Sequence, residues 1–320
     1  MATSPPPVPT MDPTADPTVD PTADLAAAPL ARLQRVQVHY AGHAALQGID
    51  LQVRAGQVVA LLGRNGAGKS TAISVLLGLR RADAGQVELL GGDPQRRASR
   101  MGLGVMLQST SLPPMLQVGE LVAQASACYA DPMPLSEVLQ RTGLQSLARR
   151  RYGRLSGGQQ RTVQFAIALC GRPRVLFLDE PTTGLDIQAR QVLWQAIRQL
   201  VAEGCGVLLT THYLEEAEAL AHQVVVLEQG KVLADAPLAE LRLTDRPRRI
   251  RCRSRLAAED LRNWPGVQQV EREGAHLQLL ASPAEPVVAR LLAADAQLKD
   301  LEVQGAALAD AFLDMTREAA

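Results

Sequence analysis

Cysteine is scarce in this 320-residue chain, and the scarcity is informative. Cys128, Cys170, Cys205 and Cys252 stand singly, with no CxxC pair, which argues against a disulfide framework and against a zinc site. Net charge is missing too: 33 basic residues balance 33 acidic ones. No global field therefore draws the protein to nucleic acid or to anionic lipid, and any such contact has to come from a local patch. The longest apolar runs are short, "VVALL" at 58–62, "VLFL" at 175–178 and "VVVL" at 224–227. A membrane-spanning helix needs about 20 apolar residues in a row. The opening residues also lack a charged stretch followed by a hydrophobic one, the mark of a secretion signal. A reducing, cytosolic compartment is the expectation.

What is present is 47% hydrophobic residues, enough for one large domain and a small one. Residues 1–30 carry "SPPPVP" and "DPTADPTVDPTAD", with Asp12, Asp16, Asp20 and Asp24 at a period of four. Proline removes backbone donors and little apolar surface offsets ordering, so a disordered acidic tail is expected. In "LQRVQVHY" Val36, Val38 and Tyr40 share one face, and Ile49, Leu51 and Val53 alternate with polar neighbours, the period of half-buried strands. An apolar strand, a glycine loop and a helix from about Lys69 to Leu79 follow. The segment 113–154 reads as mostly helical, and from Val175 onward strands and helices alternate, ending in a hairpin that turns at Gln229 and Gly230. Composition shifts near Arg246. In "RRIRCRSR" Arg249, Arg251, Arg253 and Arg255 alternate with Ile250, Cys252 and Ser254, a strand with one cationic face and no interleaved aromatics for stacking bases. A second hairpin turns at Gly274, "SPAE" at 282–285 reads as a capping box, and Leu308, Phe312 and Met315 stripe a terminal helix.

Two motifs carry recognisable chemistry. Gly63-Arg64-Asn65-Gly66-Ala67-Gly68-Lys69-Ser70 fits GxxxxGK[ST] between a strand and a helix, with Thr71 next in the helix. Its glycines free backbone N–H groups to wrap a β-phosphate, Lys69 can reach the β and γ oxygens, and the Ser70 hydroxyl can ligate Mg²⁺. Asp179 and Glu180 end the apolar strand "VLFL", where an open sheet binds its ligands. Asp179 suits Mg²⁺, directly or through water, and Glu180 suits a water that attacks a γ-phosphate. A third feature raises a question. "LSGGQQ" at 155–160 is a second phosphate grip, a serine and two glycines opening a helix, far from the first.

The order P-loop, Gln108 in "VMLQS", "LSGGQQ", "LDEPTTGLD" and "TTH" at 210–212 resembles the nucleotide-binding domain of ABC transporters, over roughly residues 33–241. The resemblance implies an α/β P-loop NTPase with an antiparallel β subdomain and a helical subdomain at about 109–160. It places that domain at 31–243 and leaves 245–320 as a small α+β accessory domain. It also implies an answer to the doubled grip. In this family two domains face head to tail, so Ser156, Gly157, Gly158 and Gln159 would hold the γ-phosphate of ATP bound to a partner's P-loop. By the same resemblance His212 is the switch histidine that orders Glu180, Asp186 lies in the loop crossing the dimer interface, and Gln108 touches Mg²⁺ and water. Tyr40 stands 29 positions before Lys69, where the family commonly stacks an aromatic on adenine; a tyrosine packed at the core's edge is the rival reading. Glu215 and Glu216 are expected to favour the N-terminus of their helix.

With one ATPase domain and no span, the chain resembles the separately encoded ATPases of ABC-2 type exporters, including drug-resistance ones; "THYLEEAEAL" and the accessory domain carry that second likeness. It implies ATP and Mg²⁺ as cofactors, a second copy of the chain and a separate permease as partners, no nucleic acid, and a place at the cytoplasmic face of the membrane. "LQVGE" replaces the family's frequent "LTVRE", and Arg64 stands where proline is frequent; neither position is catalytic. A non-transport ATPase acting as a switch on another protein stays open as the alternative.

Overall fold

A computed structural model describes residues 28–40, 42–108, 110–243 and 248–304. The expected acidic tail, up to residue 27, and the expected terminal-helix stripe at Leu308, Phe312 and Met315 lie outside the described residues.

Strands β1 (Ala31–Tyr40) and β2 (His43–Val53) form an antiparallel pair, and β4 (Ala84–Leu89) joins the other side of β1 to complete a three-stranded sheet. The expected alternation holds in β2, where Ile49, Leu51 and Val53 are buried, and in β1 as far as Val38. It fails at Tyr40, which is 43% exposed. The register with β2 shifts between Val38 and His39, and such an irregularity re-aims every side chain beyond it.

The second sheet has six strands in the order β5-β6-β7-β3-β8-β9. Its members are β3 (Val58–Leu62), β5 (Leu103–Met106), β6 (Val175–Asp179), β7 (Gly206–Thr211), β8 (Gln223–Glu228) and β9 (Lys231–Pro237). Only β9 runs antiparallel to its neighbour, as the second arm of the expected hairpin; the other pairings are parallel. Both faces of this sheet are covered at its centre, which is why β3, β6, β7 and β8 carry unbroken apolar runs. On one side Val59, Leu61, Val175, Phe177 and Leu208 pack with the antiparallel sheet. On the other Leu176, Leu178, Val207 and Leu209 pack with the helices.

The helices are α1 (Lys69–Leu76), α2 (Arg97–Arg100), α3 (Val118–Ser126), α4 (Leu135–Thr142), α5 (Gly157–Leu169), α6 (Ile187–Ala202), α7 (Leu214–Leu220) and α8 (Leu238–Leu243); α3 to α6 pack on that second side, whereas α1, through Ala72, Ile73 and Leu76, packs on the side of the antiparallel sheet. Of these, α3, α4 and the start of α5 make up the expected helical subdomain, and its buried face (Val118, Leu121, Val122, Val138, Leu139) is continuous with the main core. Helix α1 ends at Leu76, three residues sooner than its apolar pattern suggests. Gly78 takes φ +69, its N–H bonds to the Val75 carbonyl at 3.0 Å, and Leu79 N–H bonds to the Ser74 carbonyl at 2.9 Å. This is a Schellman cap, and it sends Leu79 into solvent at 66% exposure.

The accessory unit runs β10 (Arg248–Arg253), α9 (Ala258–Arg262), β11 (Val267–Glu273), β12 (His276–Ala281), α10 (Ala284–Ala294), β13 (Lys299–Gln304). Its antiparallel order β11-β12-β10-β13 is that of the split βαβ, ferredoxin-like motif. Ile250 and Cys252 of β10 are buried in its own core with Leu277, Leu279, Leu261 and Leu291, and the alternate arginines face out, as the pattern predicts. The expected capping box is not formed. Pro283, not Ser282, occupies the N-cap and gives no side-chain cap; the Ser282 N–H is taken by the Gly266 carbonyl, and Glu285 pairs with Arg248 at 2.7 Å.

Helix α5 lies so close on β5 that a Cβ on Gly104 would fall 2.2 Å from the Ala168 carbonyl oxygen. Gly104→Ala should therefore force helix and strand apart at about 1–3 kcal/mol. Urea denaturation checks this, and an unshifted midpoint would contradict that close approach.

Candidate functional site

Parallel register sets the positions of the site. Leu62 of β3 lies beside Thr211 of β7, Thr210 beside Asp179 of β6, and Leu178 beside Met106 of β5. Each strand then releases its chain at the same edge: β3 into the P-loop, β5 into Gln108, β6 into Glu180, and β7 into His212. The carboxyl edge of an open parallel sheet is where its ligands bind.

Gly68 is the N-cap of α1 at φ +110, and a Cβ there would meet the Ala45 carbonyl at 2.6 Å; on Gly63 one would meet the Leu227 carbonyl at 2.3 Å. Neither position has room for a side chain, so the loop presents backbone N–H groups at a helix N-terminus, a ready anion cradle. Lys69 is buried, and its Nζ donates to the carbonyls of Gly63 at 2.7 Å and Arg64 at 3.1 Å. Burial pushes its ammonium below the ordinary lysine pKa, while Glu180, Asp179 and Glu228 pull it back up. A cavity of about 250 Å³ opens beside the loop, lined by His43, Gln47, Arg64, Asn65, Gly66 and Glu228 among others. A larger cavity of about 620 Å³ touches Ala55, Arg174 and Cys205, which precede β3, β6 and β7; it sits at the opposite edge of the sheet, away from this chemistry.

Asp179 is 5% exposed. One of its oxygens accepts from the Thr210 hydroxyl, and the other from the Ser70 hydroxyl at 3.3 Å. Serine and aspartate oxygens side by side, facing a phosphate cradle, are the hard donors that Mg²⁺ accepts alongside phosphate oxygens and water, so the residues present fit that ion. No group of three or more His, Cys, Asp or Glu that could hold a metal ion exists among the described residues.

Glu180 has a left-handed backbone, φ +49, rare and costly for a residue with a Cβ. Its N–H donates to the Thr210 carbonyl at 3.0 Å, which ties the turn to β7. Three groups then meet its carboxylate. His212 Nδ1 lies 3.2 Å from Oε1, while Gln108 Nε2 donates to Oε2 at 3.3 Å and the Thr183 hydroxyl at 3.4 Å. Gln108, Glu180 and His212, chosen from three separate stretches of sequence, are thus gathered on one carboxylate.

Other expected site residues stand apart. Ser156 caps α5, its hydroxyl accepting from Gln159 N–H at 3.2 Å while Gln159 Oε1 accepts from Ser156 N–H at 3.1 Å. Gly157 and Gly158 form the first turn, Gly157 exposed with nothing within 4 Å of an added Cβ, and Gly158 half-buried, where a Cβ would meet the Gly184 carbonyl at 2.9 Å. Asp186 caps α6 by accepting from Ala189 N–H at 2.8 Å. Among the described residues no hydrogen bond joins Ser156–Gln159 to the P-loop. Tyr40 is outside the lining of the cavity beside the loop, and the Arg80 guanidinium lies 4.6 Å over its ring.

Arg161 was not legible as a site residue. From α5, one turn behind the glycines, its guanidinium reaches the carbonyls of Leu107 and Gln108 at 3.0 Å, of Asp179 at 3.0 Å and of Glu180 at 2.6 Å. The only signal in the sequence is a cation directly after "LSGGQQ", and nothing there says which way it faces. Burial pushes its pKa down, and Asp179 and Glu180 oppose the shift. Arg161→Met removes the donor shared by four carbonyls, of which that of Glu180 keeps only the Thr183 N–H at 3.4 Å, and should cost roughly 3 kcal/mol. Arg161→Lys should recover only part, because a point charge cannot fork between two loops. Urea unfolding read beside ATP turnover checks this, and a methionine variant equal to the wild type in both would contradict it.

Comparison with known proteins agrees with this geometry. Residues 46–183 match the family described as ABC transporter. The chain is 36% identical over 303 residues to the Nod factor export ATP-binding protein I of Paraburkholderia xenovorans, covering 88% of this chain and 95% of that one. It is 40% identical over 215 residues to the daunorubicin resistance ATP-binding protein DrrA3 of Streptomyces coeruleorubidus, covering 63% and 66%. Among solved structures, an ATP-binding subunit of an ABC transporter aligns with TM-score 0.62 and 27% identity over 67% of this chain and 92% of that one. A dimeric ATP-binding cassette in a post-hydrolysis state, bound to ADP and phosphate, aligns with TM-score 0.60 and 25% identity over 65% and 98%. A P-loop, a carboxylate dressed by glutamine and histidine, and near full-length likeness to one such protein lead to one conclusion: the chain belongs to the ATP-binding proteins of ABC transporters.

Proposed function

We propose that this protein hydrolyses ATP to drive an exporter, working as a head-to-tail pair of identical chains on a separate integral-membrane permease of the ABC-2 type. The observation that carries the reading is a division of labour. One face assembles a phosphate cradle and a dressed carboxylate, while Ser156, Gly157 and Gly158 present a second helix N-terminus to the outside, with open space at Gly157. Export and the permease rest on the names of the relatives, and pairing on the dimeric cassette. No helix among the described residues is long and apolar enough to cross a membrane, consistent with a chain that reaches the cytoplasmic face through a partner.

The steps follow from the geometry. Backbone N–H groups of residues 66–70 receive the β-phosphate at the mouth of α1. Lys69, now held by two loop carbonyls, turns to the β and γ oxygens, and the phosphate charge offsets the burial of its ammonium. Ser70 and Asp179 would hold Mg²⁺, with Gln108 at its edge; bound there, the ion supplies neutralisation of the phosphate charge. Glu180 accepts the proton of the attacking water, its carboxylate aimed by His212 and Gln108. The partner's Ser156, Gly157 and Gly158 close over the γ-phosphate, with Asp186 at the seam. Cleavage removes the group both chains grip, so the pair opens; differential binding of ATP to the closed state becomes mechanical work. The exposed Tyr40 is the remaining candidate for adenine, through its face away from Arg80.

Glu180→Gln keeps the size of the side chain and removes the base. Turnover should fall at least about a hundredfold, with ATP still bound and a dimer accumulating on size-exclusion chromatography. Turnover at the wild-type rate would remove Glu180 from the mechanism. The shared site makes a second demand. Lys69→Ala and Ser156→Arg chains should each fail to pair with ATP alone, whereas their mixture rebuilds one intact site and pairs; a mixture that stays monomeric contradicts the arrangement.

A further inference from the structure

Glu216 has no part in the chemistry above, yet its setting is unusual. The sequence assigns Glu215 and Glu216 the same duty at the start of α7, and the structure separates them. The Glu215 side chain is 82% exposed, 3.7 Å from Arg190, whereas Glu216 is 1% exposed. Both Glu216 oxygens are shut off from solvent, and no hydrogen bond of regular geometry reaches either. The groups that face them are the hydroxyls of Thr211 and Thr182 and the indole of Trp194, with Arg190 the neighbouring charge. The Trp194 indole N–H and Arg190 Nε are themselves buried without partners. Burial pushes this carboxyl above the ordinary glutamate range. A hydrocarbon side chain would fill such a place at lower cost, so a carboxyl there points to work other than packing.

The surrounding groups belong to the segments that carry the reaction. Thr182 lies in the loop between Glu180 and Asp186. Thr211 precedes His212, and its hydroxyl accepts from the Tyr213 N–H at 3.0 Å. Arg190 stands one turn into α6, the helix that Asp186 caps, with its guanidinium 5.8 Å over the Tyr213 ring; that ring lies 4.0 Å from the ring of His212. His212 in turn meets Glu180. We propose that Glu216 is a positioning residue for hydrolysis: from α7 it ties the Thr182 loop and α6 to Thr211, so that His212 and the partner-facing Asp186 are held as one unit. This rests on the hydrolytic reading above and adds to it a link between the dimer seam and the histidine that orders the base.

The test is a double-mutant cycle in the full chain. Glu216→Leu should lower kcat for ATP by about ten to a hundredfold, the scale of a misaligned catalytic group. KM should stay within about twofold, since the P-loop is untouched. Because Glu216 acts through His212, the double variant with His212→Ala should be no slower than His212→Ala alone, and Glu216→Gln should restore turnover. Unchanged kcat in Glu216→Leu, losses that multiply with His212→Ala, or a glutamine variant as slow as the leucine one would each overturn the proposal; multiplied losses mark a purely structural role. Should the leucine variant fail to fold, Thr211→Val enters the same cycle with the same deciding outcomes. Wild-type turnover is the control: its absence would sink the hydrolytic reading itself, whereas turnover with an additive cycle sinks the Glu216 inference alone.

Discussion

The parallel register of β5, β6, β7 and β3 sets Met106 beside Leu178, Asp179 beside Thr210 and Thr211 beside Leu62, so four strands stop level and discharge their loops along one edge. Everything chemical depends on that alignment. A slip of one residue in β7 would turn Thr210 away from Asp179 and carry His212 off Glu180, since successive side chains point to opposite faces. The register is protected by burial on both sides. Val207 and Leu209 pack with the helices, and Leu208 packs with the antiparallel sheet, so a slipped strand has no face left to hide.

Burying Lys69, Asp179 and Glu180, and half-burying Arg161, within one edge is expensive by itself, because each loses water. The structure offsets this with short-range partners: loop carbonyls for Lys69, threonine and serine hydroxyls for Asp179, and four carbonyls for Arg161. Glu180 takes the least settled position, in a left-handed turn with its three polar partners at 3.2–3.4 Å. Long, loose hydrogen bonds on a strained residue suit a group that has to exchange partners for a water. Lys69 shows the same economy, since its present acceptors are loop carbonyls that a phosphate can replace.

Much of this was legible beforehand, and the reason is local. The P-loop, the apolar strand before Asp179 and Glu180, the hairpin at Gln229 and Gly230, and the arginine alternation of β10 are signals confined to a few neighbouring residues. What escaped depends on partners distant in sequence. Arg161 and Glu216 look like ordinary charges on amphipathic helices, and only the tertiary fold reveals that one faces four carbonyls and the other a buried pocket. Tyr40 continues the periodicity of Val36 and Val38 on paper, but a register shift against β2 breaks it. The motif "SPAE" has a capping box's residue types, but the helix starts with Pro283 as its N-cap, the Ser282 N–H bonds to the Gly266 carbonyl and Glu285 pairs with Arg248.

Helix α5 connects the two phosphate grips mechanically. Its first turn carries Ser156, Gly157 and Gly158 outward to where the proposed partner's ATP would lie, and its second turn sends Arg161 inward to the carbonyls that flank Gln108 and Glu180. A helix is stiff over so short a span, and the Ser156–Gln159 box fixes its first turn. A displacement imposed at the glycines therefore cannot be absorbed before Arg161; it has to be felt at the backbone of Glu180. Under the proposed function, Glu180 of each chain would be sensitive to whether its own helix α5 grips a nucleotide across the seam. The separation that looked redundant in the sequence is what would let one site report to the other.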